Sequence, residues 1–184
     1  MARLDGDYRK NWMLIAVFLG LFAISATYSV RFTPPGTIEV RINDDVLYVD
    51  KSEVLNKHWV EYLLYLKNSF GENSDIFLQA QLDSAIWSTV YSGGVLNYNS
   101  VYADYPVIGV SYQQAVDYCN WRSDRVSEKY NKTISYRLPT KDEWDWICKK
   151  YGEENYLKGI NKIEKGRGFL NLTDNVSEMV SEEG

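Results

Sequence analysis

From Trp12 to Val30 the chain runs nineteen residues without a charge, WMLIAVFLGLFAISATYSV. At helical rise this stretch covers about 28 Å, the thickness of one hydrocarbon core. The pattern predicts one N-terminal transmembrane helix over 12–30 behind a short tail, 1–11. A linker and first strand over 31–44 then lead into a domain over 45–184. Thr33-Pro34-Pro35-Gly36 breaks any helix that follows the span. TIEVRI and VLYVD alternate apolar and polar residues on either side of Asn43-Asp44-Asp45, the pattern of a β-hairpin. Asn56 stands where it can cap a helix whose Trp59, Val60, Leu63, Leu64 and Leu66 make one apolar face, and Gly71 stops that helix after Phe70. Residues 72–105 carry little periodicity beyond a short helix around Phe77 to Trp87. Two more helices are marked by a hydroxyl three residues ahead of a side chain that reaches back, Ser111 with Gln114 and Thr140 with Glu143. Ala115, Tyr118, Cys119, Arg122 and Val126 lie along one stripe of the first, and Trp144, Ile147, Cys148 and Tyr151 along one stripe of the second.

Charge orients the span. Arg9 and Lys10 precede it directly and Arg31 follows, which favours an N-terminus inside and a domain outside the cytoplasmic membrane. The expected location is a bacterial inner membrane with the domain in the periplasm. A cleaved secretory signal has a similar form, with small residues near Ser25 and Ala26, and it too would carry the domain out of the cytoplasm. A lipid anchor is not expected, because the two cysteines, Cys119 and Cys148, lie far from the apolar run. Net charge is −5 over the whole chain, while residues 1–31 are basic. The domain is therefore acidic and repels phosphate backbones, so nucleic acid is not an expected partner. Fifteen Tyr and six Trp supply flat amphipathic rings, suited to a loop-rich domain or a protein interface.

Four segments carry a further pattern in a fixed order. YVDKSEVLNKHWVEYL (Tyr48 to Leu63) pairs an aromatic-x-Asp-Lys-x-Glu-Val-x-Asn start with a helix. YPVIGVSYQQAVDYCNW (Tyr105 to Trp121) leads a Pro-Val-x-x-Val-Ser stretch into an Ala-x-x-Tyr-Cys-x-Trp helix. YRLPTKDEWDWIC (Tyr136 to Cys148) and NLTDNVSEMV (Asn171 to Val180) complete the set. Together they resemble the formylglycine-generating-enzyme, or sulfatase-modifying-factor (FGE-sulfatase), family. The resemblance implies an α+β, C-type-lectin-like fold, here incomplete at its C-terminus, with packed helices, short strands and much irregular chain. The physical content of RLPTKDEW is architectural. Pro139 disfavours helix before it, Thr140 caps, Glu143 completes the box and Trp144 drives the new helix inward. Arg137 is expected to pair with a buried carboxylate as a structural ion pair.

The family's enzymes oxidise a substrate cysteine with two cysteines that hold Cu(I), a soft ion suited to thiolates. In the family these lie beyond the Asn-x-x-Glu-Trp element, so no catalytic or cofactor-binding residue is expected in this sequence, and the resemblance implies a pseudoenzyme. Cys119 and Cys148 read as buried free thiols or as a disulfide with each other. His58 reads as a solvated surface histidine beside Lys57. The resemblance also implies a structural Ca²⁺ held by Asn171, Asp174, Val176 and Glu178, through side-chain oxygens and backbone carbonyls. Asp174 stands where the family has Gly, and Met179 where it has Trp. The expected function is a non-catalytic, membrane-anchored subunit of a cell-envelope complex whose partners are other membrane-complex proteins. The ending NVSEMVSEEG resembles the gliding-motility and type IX secretion members of Bacteroidetes. The rivals are a truncated formylglycine-generating oxidoreductase and a carbohydrate-binding module with a glycan partner.

Overall fold

A computed structural model describes residues 32–91, 96, 100–152, 168–170, 172 and 176–181. The expected tail and span, 1–11 and 12–30, lie outside the described residues, among which no helix is long and apolar enough to cross a membrane. The chain divides into two compact units, Met1–Thr33 and Pro34–Gly184. The elements below belong to the second.

Strands β1 (Thr37–Ile42) and β2 (Asp45–Asp50) form an antiparallel hairpin with Thr37 opposite Asp50 and Ile42 opposite Asp45. The turn is tighter than the expected three residues, because Asp45 already pairs and Asn43 takes the left-handed conformation, φ 54°, which a short polar side chain tolerates. Helix α1 spans Asn56–Phe70 and ends at Gly71, φ 91°. Its start corrects the expected cap. Leu55 is held extended by an isolated antiparallel bridge to Pro106 and is itself the cap, so the helix begins one residue earlier than a capping Asn56 would allow. The buried face also differs, with Tyr62 buried and Leu64 about half exposed.

The single helix expected over 77–87 is two, α2 (Asp75–Gln79) and α3 (Ser84–Val90). Asp83 causes the break. Its carboxylate accepts from the N–H groups of Ala85 and Ile86 at 2.9 and 3.2 Å, starting a new helix. Its own N–H donates to Gly109 O, and a Cβ at Gly109 would meet Asp83 O at 3.1 Å. Helices α4 (Tyr112–Tyr130) and α5 (Lys141–Tyr151) start where their capping boxes predict, with Ser111 and Thr140 as caps and Gln114 and Glu143 reaching back. Gln114 further donates to Gln79 O and Gln81 O, both at 2.7 Å, tying the cap of α4 to the exit of α2.

The core is aromatic. Trp59 stacks on Tyr118, centroids 5.3 Å apart, and Tyr62 meets both edge-on. Leu66 and Ala80 complete the buried cluster, and Trp59 Nε1 donates to Ala80 O at 3.1 Å. A second group, Trp87, Tyr91, Tyr102 and Tyr105, gathers where α3 meets the 100–106 turn. There Tyr91 Oη donates to Pro106 O at 2.6 Å. The surplus of rings is thus largely spent inside the unit, each pair contributing about 1 kcal/mol beyond its buried area.

Candidate functional site

His58, the third residue of α1, is half-buried and not the solvated histidine expected. Its Nδ1 accepts from the N–H of Leu55 at 3.4 Å, a long bond that satisfies one orphan donor of the helix start. Burial, with Lys57 and Arg122 nearby, lowers its pKa, so the neutral ring that accepts this bond is the favoured form. With Leu55 as the last extended residue, His58 stands three residues on, the place of the back-reaching member of a capping box, a role hidden while Asn56 was taken as the cap.

Asn56 is buried although polar. Its Nδ2 donates to Tyr102 O at 3.0 Å, and its Oδ1 accepts from Trp87 Nε1 at 3.4 Å. Its backbone N–H donates to Tyr105 O at 2.9 Å. It therefore joins α1, α3 and the 100–106 turn at one point. Nearby, Asp50 at the end of β2 takes a bidentate pair from Arg122 of α4, at 2.5 and 2.7 Å. The Arg122 guanidinium also lies over the Tyr136 ring, 4.1 Å from its centroid. Arg137 forms an ion pair, its two arms on Glu143 at 2.7 and 2.6 Å, but at the surface and not with the buried carboxylate expected. The same Glu143 accepts from the Thr140 N–H at 2.8 Å. The Arg137 bonds hold its carboxyl below the usual carboxylate range.

A cleft of about 240 Å³ opens between the first half of α4 and residues 136–140, with Ser181 at one end and Cys119 in its wall. Cys119 and Cys148 are both free thiols. Burial pushes the Cys119 thiol up to about 11, and raises that of Cys148 as well. Cys148 Sγ lies 3.9 Å from Leu172 O.

Of the four expected calcium ligands, Asn171 and Asp174 lie outside the described residues. Val176 and Glu178 are described. Glu178 keeps an exposed surface, yet the protein behind it and the neighbouring charge of Glu53 push its carboxyl up to about 7. A carboxylate held in that way is one that a hard cation would relieve. Among the described residues no group of three or more His, Cys, Asp or Glu side chains stands together as a metal cage. The chain leaves this region along the cap of α5, with the Ser181 N–H donating to Pro139 O at 2.8 Å in a parallel bridge to Thr140.

Known proteins agree with the motifs. An uncharacterized protein of Borreliella burgdorferi is 35% identical over 81 residues, which is 44% of this chain and 15% of that protein. The formylglycine-generating enzyme of Bos taurus is 31% identical over 70 residues, 38% of this chain and 16% of the enzyme. The aligned stretches are thus a small part of either relative. No solved structure gives a significant match. The model of the sulfatase-modifying factor enzyme 1-like domain matches residues 9–177, nearly the whole chain with its mixed helices and strands in place, and the chain belongs to that family.

Proposed function

We propose that the chain is a non-catalytic, membrane-anchored subunit of a cell-envelope complex, its family fold kept as a frame for protein contacts. Assemblies for protein secretion or gliding motility are the kind it would serve, with the domain in the periplasm. The observation that carries this reading is the use made of the side chains able to do chemistry. His58 Nδ1 is spent on the Leu55 N–H, the Cys119 thiol holds its proton up to about 11, and Arg137 is clamped by Glu143. Each is committed to architecture, and function resides in a site rather than in a fold. The uncharged run Trp12–Val30 and the cations flanking it support the anchor.

No cofactor is required in this reading, and Asn171, Asp174, Val176 and Glu178 are the residues that would hold an optional structural Ca²⁺. The test is incubation of the full chain, Cu(I) and oxygen with a Cys-x-Pro-x-Arg peptide. No aldehyde is expected above a blank without protein. A mild-detergent pull-down analysed by mass spectrometry should recover membrane-complex proteins with the chain.

The similarity to the bovine enzyme favours a second reading, a segment of a formylglycine-generating oxidoreductase. Aldehyde formation in the same assay would establish it. Binding on a glycan array would instead point to a carbohydrate-binding module.

A further inference from the structure

The connection from α4 to α5 is an extended segment with one edge unused among the described residues. The Ile134 N–H donates to Ser127 Oγ at 2.9 Å and the Tyr136 N–H to Ser123 Oγ at 2.8 Å. Ser123 and Ser127 stand one turn apart on α4, about 6 Å, and two residues of extended chain span about the same distance. The backbone from Ile134 to Tyr136 is therefore extended and laid along the helix. Burial alternates with it, Ile134, Tyr136 and Leu138 being half-buried and Thr133, Ser135 and Arg137 exposed. In extended chain, backbone groups point alternately to the two sides, so those of Thr133, Ser135 and Arg137 face away from α4. The backbone N–H and C=O groups of these three residues make no hydrogen bond among the described residues.

That outer edge is bounded. At its far end Pro139 O is already taken by the Ser181 N–H, in the parallel bridge that places Ser181 beside Thr140. The strand thus already accepts a neighbour through its backbone where it is covered. The free part carries none of the usual protection of an edge. It has no proline before Pro139, and its one charge, Arg137, is turned onto Glu143.

We propose that residues 133–137 pair antiparallel with the same residues of a second copy of this chain, about a two-fold axis at Ser135. The edge is self-complementary. Ser135 would face Ser135, Thr133 would face Arg137 and Lys132 would face Leu138, so no like charges stand opposite each other and the small hydroxyl residues let the strands approach. About six backbone hydrogen bonds would form. An interface of this length lies below the standard size, so the dimer forms and dissociates with concentration. The inference is independent of whether the fold does chemistry.

The test is sedimentation equilibrium of the full chain in mild detergent, with hydrogen exchange followed on the wild type. Association should rise with concentration, and the Ser135 and Arg137 amides should slow in step with it. Ser135→Pro removes a donor that the monomer does not use and should weaken association on the order of tenfold or more. Ser135→Ala should leave it unchanged. The proposal is overturned if Ser135→Pro associates as tightly as the wild type, or if both amides exchange at one rate at every concentration. It is overturned equally if they slow only when a different protein is added. The exchange experiment decides by itself should the proline variant fail to fold.

Discussion

Trp87 and Asn56, thirty-one residues apart in sequence, meet inside the unit, with Trp87 Nε1 donating to Asn56 Oδ1 at 3.4 Å while Asn56 Nδ2 holds Tyr102 O. One buried amide thereby sets α1 against α3 and the 100–106 turn. Asn56→Leu leaves a carbonyl and an indole N–H without partners, and is expected to cost about 2–4 kcal/mol. Urea unfolding should show a lower midpoint at unchanged slope. In a Trp87→Phe background the loss should be smaller, because one orphaned group has gone. Equal losses in both backgrounds would mean that the Trp87 bond contributes nothing.

Asp50 and Arg122 join β2 to α4 and are both largely covered, their side chains 34% and 20% exposed. Asp50→Asn strands the guanidinium beneath the Tyr136 ring and should destabilise by about 2–4 kcal/mol. The double variant Asp50→Asn with Arg122→Met should recover a good part of that loss. Additive losses in a double-mutant cycle would contradict the coupling.

Stability on the acid side should depend on Glu143. The Arg137 bonds lower its folded pKa below the ordinary value of 4.5. Its contribution is therefore complete above the unfolded value and is lost as pH falls through the lower, folded one. Glu143→Gln should lower the thermal midpoint at pH 7 and flatten the acid limb of its pH dependence. A variant that tracks the wild type from pH 6 down to pH 3 would exclude this role.

Cys119 should be slow to alkylate. Burial raises its thiol from 9.0 to about 11, so the thiolate fraction at pH 8 is about a hundredfold lower than for an unperturbed thiol. Iodoacetamide labelling followed by mass spectrometry should modify Cys119 only slowly in the native protein and rapidly in urea. Equal native and denatured rates would show that the thiol is open to solvent.

Local patterns settled what local forces control. The caps Ser111 and Thr140, the stop at Gly71 and the existence of the hairpin, though not the length of its turn, follow from groups meeting a few residues apart, and each is found where the pattern sets it. The four motifs in order likewise sufficed to identify the family, because they encode such reversals. Tertiary contacts decided the rest. Asn56 has the chemistry of a cap, but Leu55 is pinned to Pro106 and the turn at Tyr102 offers a carbonyl, so the amide turns inward. His58 was legible as a polar residue on a helix, but its role as acceptor depends on where the extended chain ends. Tyr62 replaces Leu64 in the core because Tyr118 and Trp121 present rings to it from a helix about fifty residues away. The edge at Ser135, open among the described residues, has no signal in sequence, since its orientation is set by Ser123 and Ser127 binding the opposite side of the strand. Hydrogen bonds to near neighbours are written in spacing, whereas the partner of a buried polar group is chosen by whichever distant backbone the packing delivers.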